Sequence, residues 1–328
     1  MVSEYYSEAI ASPNIAFIKY WGNRDDELRI PQNSSLSMNL DGLYTRTSVH
    51  FAEKYAQDEL ILNGNRVNGY ALARVSQFLD VVRELAHQKI YVHVESSNNF
   101  AQGAGIASSA SAFAALALAA SKAIGLNLKE MDLSRLARRG SGSACRSVPS
   151  GFVEWQAGKN DKDSYAFSIA DMQHWQIYDH IAIIDEKHKA IGSSQGHKSA
   201  ASSPLQKCRV DDSVRRMNIC RQAILEKNFA AFADIIELDS NMMHAVMMTS
   251  HPALFYWQPT TLLIIEKVKE WRMEGLNVSY TIDAGPNVHI ICDIHSHQEI
   301  YERLKSISEI KQVLTATPGQ GARLVNSH

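Results

Sequence analysis

Alternation of apolar and polar residues marks the first clear strand, "TRTSVHF", residues 45–51. "ELILNGNRV" reads as a β-hairpin with Asn63-Gly64 at its turn. Leu72, Val75, Leu79, Val82 and Leu85 then recur at helical spacing. "KIYVHVES" is a further strand, leading through "SNNFAQGAGIASSAS" into an apolar helix with Phe113, Leu116, Ala117, Ala120 and Ile124 on one face. A helix over Leu128–Arg138 stops at Gly140, and "GFVEWQAG", "SYAFSIA" and "HIAIID" follow as strands. From Asp185 to Pro204 the pattern turns polar, so the division into two domains is placed there, 1–187 and 188–328. Helices over Val210–Glu226, Phe229–Met247 and Thr260–Glu274 come next. The chain closes as strand, strand, helix, strand in "VSYTI", "VHIICDI", "QEIYERLKSI" and "KQVLTAT". That order predicts an α+β layer of antiparallel strands covered by helices.

Composition narrows the class. Of 328 residues 45% are hydrophobic and 21% charged, as in an ordinary globular protein with ample core. The net charge of −2 and the scattered Lys and Arg argue against a nucleic-acid surface, but leave room for a small anion met by a few converging cations. The most apolar run, 107–120, contains serines and is too short to span a bilayer, so no membrane segment is expected. Cys145, Cys208, Cys220 and Cys292 are far apart and without metal spacing, which reads as reduced thiols in a cytoplasmic protein. "MVSEYYSEAI" shows no secretory pattern. The histidines form no zinc helix motif, so no transition-metal site is expected.

Several stretches carry candidate chemistry. In "GAGIASSASAFAALALA" a glycine-rich loop and paired serines open a helix, whose first amides and dipole favour an anion; the alternative is a capped turn. No Gly-Lys-Ser/Thr ends the loop, so it is not a Walker motif. In "RRGSGSACRS", Arg146 falls one helical turn after Ser143 and offers a planar fork for carboxylate or phosphate, or is a surface arginine. Lys19 ends the apolar segment of "ASPNIAFIKYWGN" between Ile18 and two aromatics, where a lysine snorkels or meets an anion. "AIGSSQGHKS" reads as a flexible polar connection. "SYTIDAGPNVH" puts a carboxylate, Asp283, at the end of an apolar strand before a rigid turn, which is either an Asx turn or a placed acid.

Taken together and in order, "NIAFIKYWG", "NSSLSMNL", "NNFAQGAGIASSAS", "GSGSACRS" and "TIDAGPN" resemble the mevalonate diphosphate decarboxylase family of the GHMP kinase superfamily, over nearly the whole chain. The resemblance implies an N-terminal α/β domain, a C-terminal ferredoxin-like α+β domain, an active site in the cleft between them, and a homodimer. It implies ATP and Mg²⁺ as cofactors and a 5-phosphorylated mevalonate as small-molecule substrate, phosphorylated on its tertiary hydroxyl and then decarboxylated. Asp283 then matches the family's base, Arg146 with Asn14 the holder of the substrate carboxylate, and Lys19 the cation at the transferring phosphoryl. Ser108 and Ser109, with the loop Gly103, Gly105, Ile106 and Ala107, match the ATP phosphate site, Ser108 also facing Mg²⁺. Ser96 and Asn98 match the adenine pocket. Tyr20, Arg74, Ser141, Ser143 and Ser193 match the 5-phosphoryl site, beside Ser194.

Two positions depart from the family pattern. Asn23 stands where diphosphate-using members have a lysine, and Gln195 where bacterial members have an arginine. Desolvating a diphosphate without those cations is costly, so the expectation is a phosphomevalonate decarboxylase giving isopentenyl phosphate, with His197 as a compensating donor. The alternatives are the diphosphate decarboxylase, a kinase that stops at the 3-phosphate, and a non-catalytic nucleotide-binding regulator.

Overall fold

A computed structural model of the protein describes residues 5–100, 108–185 and 193–325, the side chains of 193 and 194 excepted. In chain order the elements are β1 (Tyr5–Ala11), β2 (Asn14–Ile18), β3 (Asn23–Asp25), β4 (Ile30–Pro31), β5 (Ser35–Asn39), β6 (Thr45–Phe51), β7 (Glu59–Leu62), β8 (Asn65–Arg66), α1 (Tyr70–Ala86), β9 (Val92–Asn98), α2 (Ser108–Ala123), α3 (Glu130–Gly140), β10 (Phe152–Trp155), β11 (Ala166–Ala170) and β12 (Ile177–Ile183). There follow α4 (Ser193–Ser199), α5 (Gln206–Asp211), α6 (Ser213–Glu226), α7 (Phe229–Thr249), α8 (Pro259–Met273), β13 (Val278–Thr281), β14 (Val288–Asp293), α9 (His297–Lys305), β15 (Gln312–Ala316) and β16 (Arg323–Leu324).

The first sheet runs β16-β1-β6-β9-β7-β8. Thr45, Thr47, Val49 and Phe51 alternate inward along β6, as the pattern predicts. The β7–β8 hairpin turns at Asn63 and Gly64, with φ of 49° and 78°, the left-handed pair that a two-residue hairpin loop needs. Helix α2 lies on this sheet and is buried on most of its surface, because its alanines let β1, β6 and α3 approach closely.

A second sheet, β11-β10-β5-β2, carries the serine- and asparagine-rich inner strands near the site. The third, β13-β14-β12-β15, is antiparallel throughout. α8 and α9 cover one of its faces, and the α6–α7 pair fills the space between its other face and β2–β5. Phe17 meets Phe232 edge-on in that shared core, with ring centroids 4.8 Å apart. Mixed helices and sheets of this kind match the α+β class that the resemblance implies.

The structure corrects two expectations, a helix and a connection. β12 pairs with β14 and β15, so the sheets change between β11 and β12. The C-terminal end also returns to the first sheet, where Ala9 pairs with Leu324. Sheet membership is set by hydrogen-bond register rather than by the polarity of the chain. The helix expected over Val210–Glu226 is broken at Asp212, whose carboxylate turns back to Arg215 and Arg216. Residues 193–199, expected as flexible connection, form α4, held because Gly196 packs on the Trp21 ring and His197 is stacked between Tyr20 and Trp21.

Candidate active site

Lys19 follows the fully buried strand β2 and is itself 1% exposed. Its backbone is gripped on both sides. The N–H donates to Asp239 Oδ2 at 2.6 Å; the carbonyl accepts from Arg209 at 2.7 Å and Asn33 at 3.0 Å. Arg216 Nε binds the other Asp239 oxygen at 2.7 Å, so one buried carboxylate holds a peptide N–H and a guanidinium. With its backbone fixed, the Lys19 ammonium reaches Asp283 Oδ1 at 2.6 Å, 264 residues along the chain. Asp283 stands just after β13 in a tight turn, closed by Gly285 N–H to its own carbonyl at 2.7 Å. One residue earlier, the Ser240 hydroxyl accepts from Ile282 N–H at 3.0 Å and donates to Ile282 carbonyl at 3.3 Å. Neighbouring residues of α7, Asp239 and Ser240, thus fix the backbones carrying the two halves of the pair. Burial pulls the Lys19 ammonium below its ordinary pKa, opposed by the Asp283 and Asp239 charges.

Arg146 comes from a 3-10 turn, Gly142–Ser147, and is 3% exposed. Its Nε and one terminal nitrogen converge on Asn14 Oδ1 at 3.2 and 3.1 Å, and the other terminal nitrogen reaches Ser35 Oγ at 2.6 Å. Asn14 is oriented by its amide donating to Ser147 Oγ at 2.8 Å. The guanidinium therefore has neutral partners and keeps its charge for an anion. Burial lowers its pKa while Asp283 raises it, and Arg146 in turn acts on Lys19, so the acid and both cations share one electrostatic neighbourhood.

Beside this cluster lies a polar hollow lined by Tyr20, Arg29, Arg74, Ser109, Ser141, Gly142, Ser143 and His197. Gly142 is required here, since a Cβ would fall 2.6 Å from the Tyr20 ring. His197 Nδ1 accepts from Gly22 N–H at 3.0 Å, which leaves Nε2–H as the donor. Burial and the nearby arginines hold this imidazole neutral, with its pKa pulled down to about 3. Arg74 donates to Gly140 carbonyl at 2.9 Å, lies over the Phe113 ring at 4.6 Å, and has a buried Nε without an acceptor. Burial and Arg29 bring its pKa down to about 10. Among the described residues neither arginine meets a carboxylate.

Of the residues expected from sequence, Lys19, Asp283, Arg146 and Asn14 thus come together, and Tyr20, Arg74, Ser141, Ser143, Ser109 and His197 line the adjoining hollow. Ser108 opens α2, and its carbonyl accepts from Ser111. Ser96 and Asn98 lie on one face of β9, bonded to Thr47 and Thr45. Asn23 accepts from the Tyr20 hydroxyl without lining the hollow, and Gln195 is exposed on α4. Gly103, Gly105, Ile106 and Ala107, and the side chains of Ser193 and Ser194, lie outside the described residues. Sequence reasoning missed Arg29, Arg209, Arg216, Asp239 and Ser240. A signal existed for Asp239, a carboxylate on the apolar stripe of Phe232, Ile236 and Met243. Nothing in the local pattern marks Arg29.

Comparison with known proteins places this geometry. The profile of the diphosphomevalonate decarboxylase-like N-terminal domain matches residues 11–166, and that of the mevalonate 5-diphosphate decarboxylase C-terminal domain matches 180–324. The diphosphomevalonate decarboxylase of Candida albicans is 37% identical over 318 residues, covering 91% of this chain and 88% of its own. That of Rattus norvegicus is 40% identical over 303 residues, covering 85% and 75%. Among solved structures, the mevalonate diphosphate decarboxylase of Enterococcus faecalis aligns with TM-score 0.93 and 36% identity over 99% of this chain and 100% of its own. The Staphylococcus aureus enzyme aligns with TM-score 0.93 and 35% identity over 98% of each. The chain belongs to the diphosphomevalonate decarboxylase family of the GHMP superfamily, whose members are ATP-dependent decarboxylases.

Proposed function

We propose that the protein converts mevalonate 5-diphosphate and ATP to isopentenyl diphosphate, ADP, phosphate and carbon dioxide. The observation that carries this reading is the convergence of Asp283, Lys19 and the neutrally partnered Arg146 beside a cationic hollow. A substrate of this shape offers a carboxylate to Arg146, a tertiary hydroxyl to Asp283 and a phosphorylated end to Arg74, Arg29 and the His197 Nε2–H. Asp283 takes the hydroxyl proton as that oxygen attacks the terminal phosphorus of ATP and ADP leaves. As the proton arrives, Lys19 loses its counter-charge and its ammonium turns to the oxygens of the transferring group. The new carbon–oxygen bond then breaks with phosphate as leaving group. The electrons of the carboxylate–carbon bond form the alkene and release carbon dioxide.

The nucleotide end fits ATP held as its magnesium complex. Ser108 and Ser109 open α2 where first-turn amides and hydroxyls suit phosphate oxygens. Ser108 would be the protein oxygen beside a magnesium ion carried mainly by the nucleotide phosphates. Magnesium there would neutralise phosphate charge. A solved structure that aligns with this chain at TM-score 0.93 and 36% identity is described as MDDEF in complex with MVAPP, AMPPCP and magnesium.

The monophosphate expectation rested on two missing cations. Relatives named as diphosphate enzymes, and two arginines in the hollow, favour the diphosphate instead. Parallel assays with mevalonate, its 5-phosphate and its 5-diphosphate, reading ADP and carbon dioxide together, test the reading. A higher kcat/KM on the 5-phosphate refutes the diphosphate assignment. ADP release without gas refutes decarboxylation.

A further inference from the structure

The cation expected beside Tyr20 is absent, because residue 23 is asparagine. Its amide is committed to its own hairpin: Oδ1 accepts from the Tyr20 hydroxyl, and Nδ2 donates to Asp26 at 2.8 Å. Yet the hollow is not short of charge. Strands β3 and β4 pair Asn23 with Pro31 and Asp25 with Ile30, and the turn joining them ends at Arg29. Arg29 has φ 51°, a left-handed backbone that residues with side chains rarely adopt. From there its Nε donates to Arg139 carbonyl at 3.1 Å, which anchors the guanidinium on the wall of the hollow. Its terminal nitrogens have no acceptor among the described residues. Arg29 shares this wall with Tyr20, Arg74 and His197.

We propose that Arg29 takes the place of the missing cation at position 23, binds the outer phosphoryl group of the substrate's 5-diphosphate, and so sets the preference for diphosphate over monophosphate. The inference rests on the decarboxylase reading above. A diphosphate carries more negative charge than a monophosphate, and His197, held neutral, adds a donor but no charge. Arg74 alone would leave the outer phosphoryl desolvated against one guanidinium. A second, with two parallel N–H groups unoccupied, matches the fork geometry of a terminal phosphoryl.

The test uses the full chain and its Arg29→Gln and Arg29→Lys variants, with thermal melting as the folding control. Turnover is measured on mevalonate 5-diphosphate and 5-phosphate, and calorimetry gives the Kd of the diphosphate alone. In Arg29→Gln the diphosphate KM and Kd should rise on the order of 10- to 100-fold, the scale of a charge-assisted hydrogen bond. The fall on the monophosphate should be much smaller, so the ratio of the two kcat/KM values drops by about tenfold or more. Arg29→Lys, which keeps the charge, should recover part of that ratio. An unchanged ratio in Arg29→Gln, with the native enzyme using the diphosphate, overturns this inference and leaves the activity standing. A native enzyme inactive on the diphosphate refutes the functional reading itself, before any variant is made.

Discussion

Replacing Asp283 by asparagine removes one oxygen's charge and little volume, and the structure fixes what that does. In the proposed mechanism the carboxylate is the proton acceptor for the substrate hydroxyl, and general-base participation contributes about 10²- to 10⁴-fold, or roughly 3–5 kcal/mol of barrier. It is also the counter-ion of Lys19, at 2.6 Å, and Lys19 is 1% exposed where Asp283 is 28% exposed. Burial already holds the Lys19 ammonium below its ordinary pKa, and Asp283 is the largest influence opposing that. Without it the pKa falls further, and the lysine sheds its proton rather than remain an unpaired buried charge. The variant therefore loses the base and weakens the cation, and kcat should fall by about 10³-fold or more. The fold should persist, because the Lys19 peptide is held by Asp239, Arg209 and Asn33 rather than by Asp283. Steady-state release of ADP and carbon dioxide should fall together, while calorimetric ATP affinity stays within about threefold, the proposed nucleotide phosphate site being at the start of α2. A kcat within tenfold of native in a variant that melts normally would refute the role of Asp283, and native ADP release with lost gas would move it to the second step.

Further outcomes follow from the same geometry. Arg146→Lys cannot span Asn14 and Ser35 with one ammonium, so KM for the phosphorylated mevalonate should rise and kcat fall, together on the order of 10²-fold in kcat/KM, with KM for ATP unmoved. Asp239→Asn turns an amide toward Arg209 and Arg216 and should cost roughly 3–5 kcal/mol by urea unfolding. Where it stays folded, the alkaline limb of kcat should move to lower pH, because Asp239 and Asp283 both oppose the Lys19 shift. His197 and His244 are both held neutral by burial, with pKa values pulled down to about 3. The unfolded chain takes up protons that the native state refuses, so stability is full above pH ~6.5 and falls from there towards pH ~3, by up to about 1.4 kcal/mol per pH unit for each histidine. Urea midpoints between pH 7.5 and 4.5 should show this, with a shallower slope in His197→Gln.

The site was legible where several short motifs had to coincide, and obscure where one side chain arrived from a turn. Asp283 at the end of an apolar strand and Lys19 after β2 drew notice as charges, and the resemblance of the ordered motifs gave them roles. Arg29 lies in the polar run "RDDELRI", where an arginine is unremarkable until the hairpin carries it over the hollow. Asn23 and Gln195 do lack charge, but a phosphate meets cations in space rather than along the sequence, and Arg29 and Arg74 line the hollow. Gln195 itself is exposed on α4, one residue from the buried Gly196.

By itself the sequence determined most of the elements from β6 onward and the family. Alternation, helical spacing and turn residues are local properties, and the ordered motifs fix the fold class. Tertiary structure decided which residues share a site. Lys19 and Asp283 meet across 264 residues only because adjacent positions of α7, Asp239 and Ser240, hold their two backbones. Sheet membership of β12, the return of β16 to β1 and the cationic wall with Arg29 were likewise decided by long-range pairing. The physical reason is that hydrogen-bond register and electrostatic neighbourhood depend on distance in space, which a linear pattern does not encode.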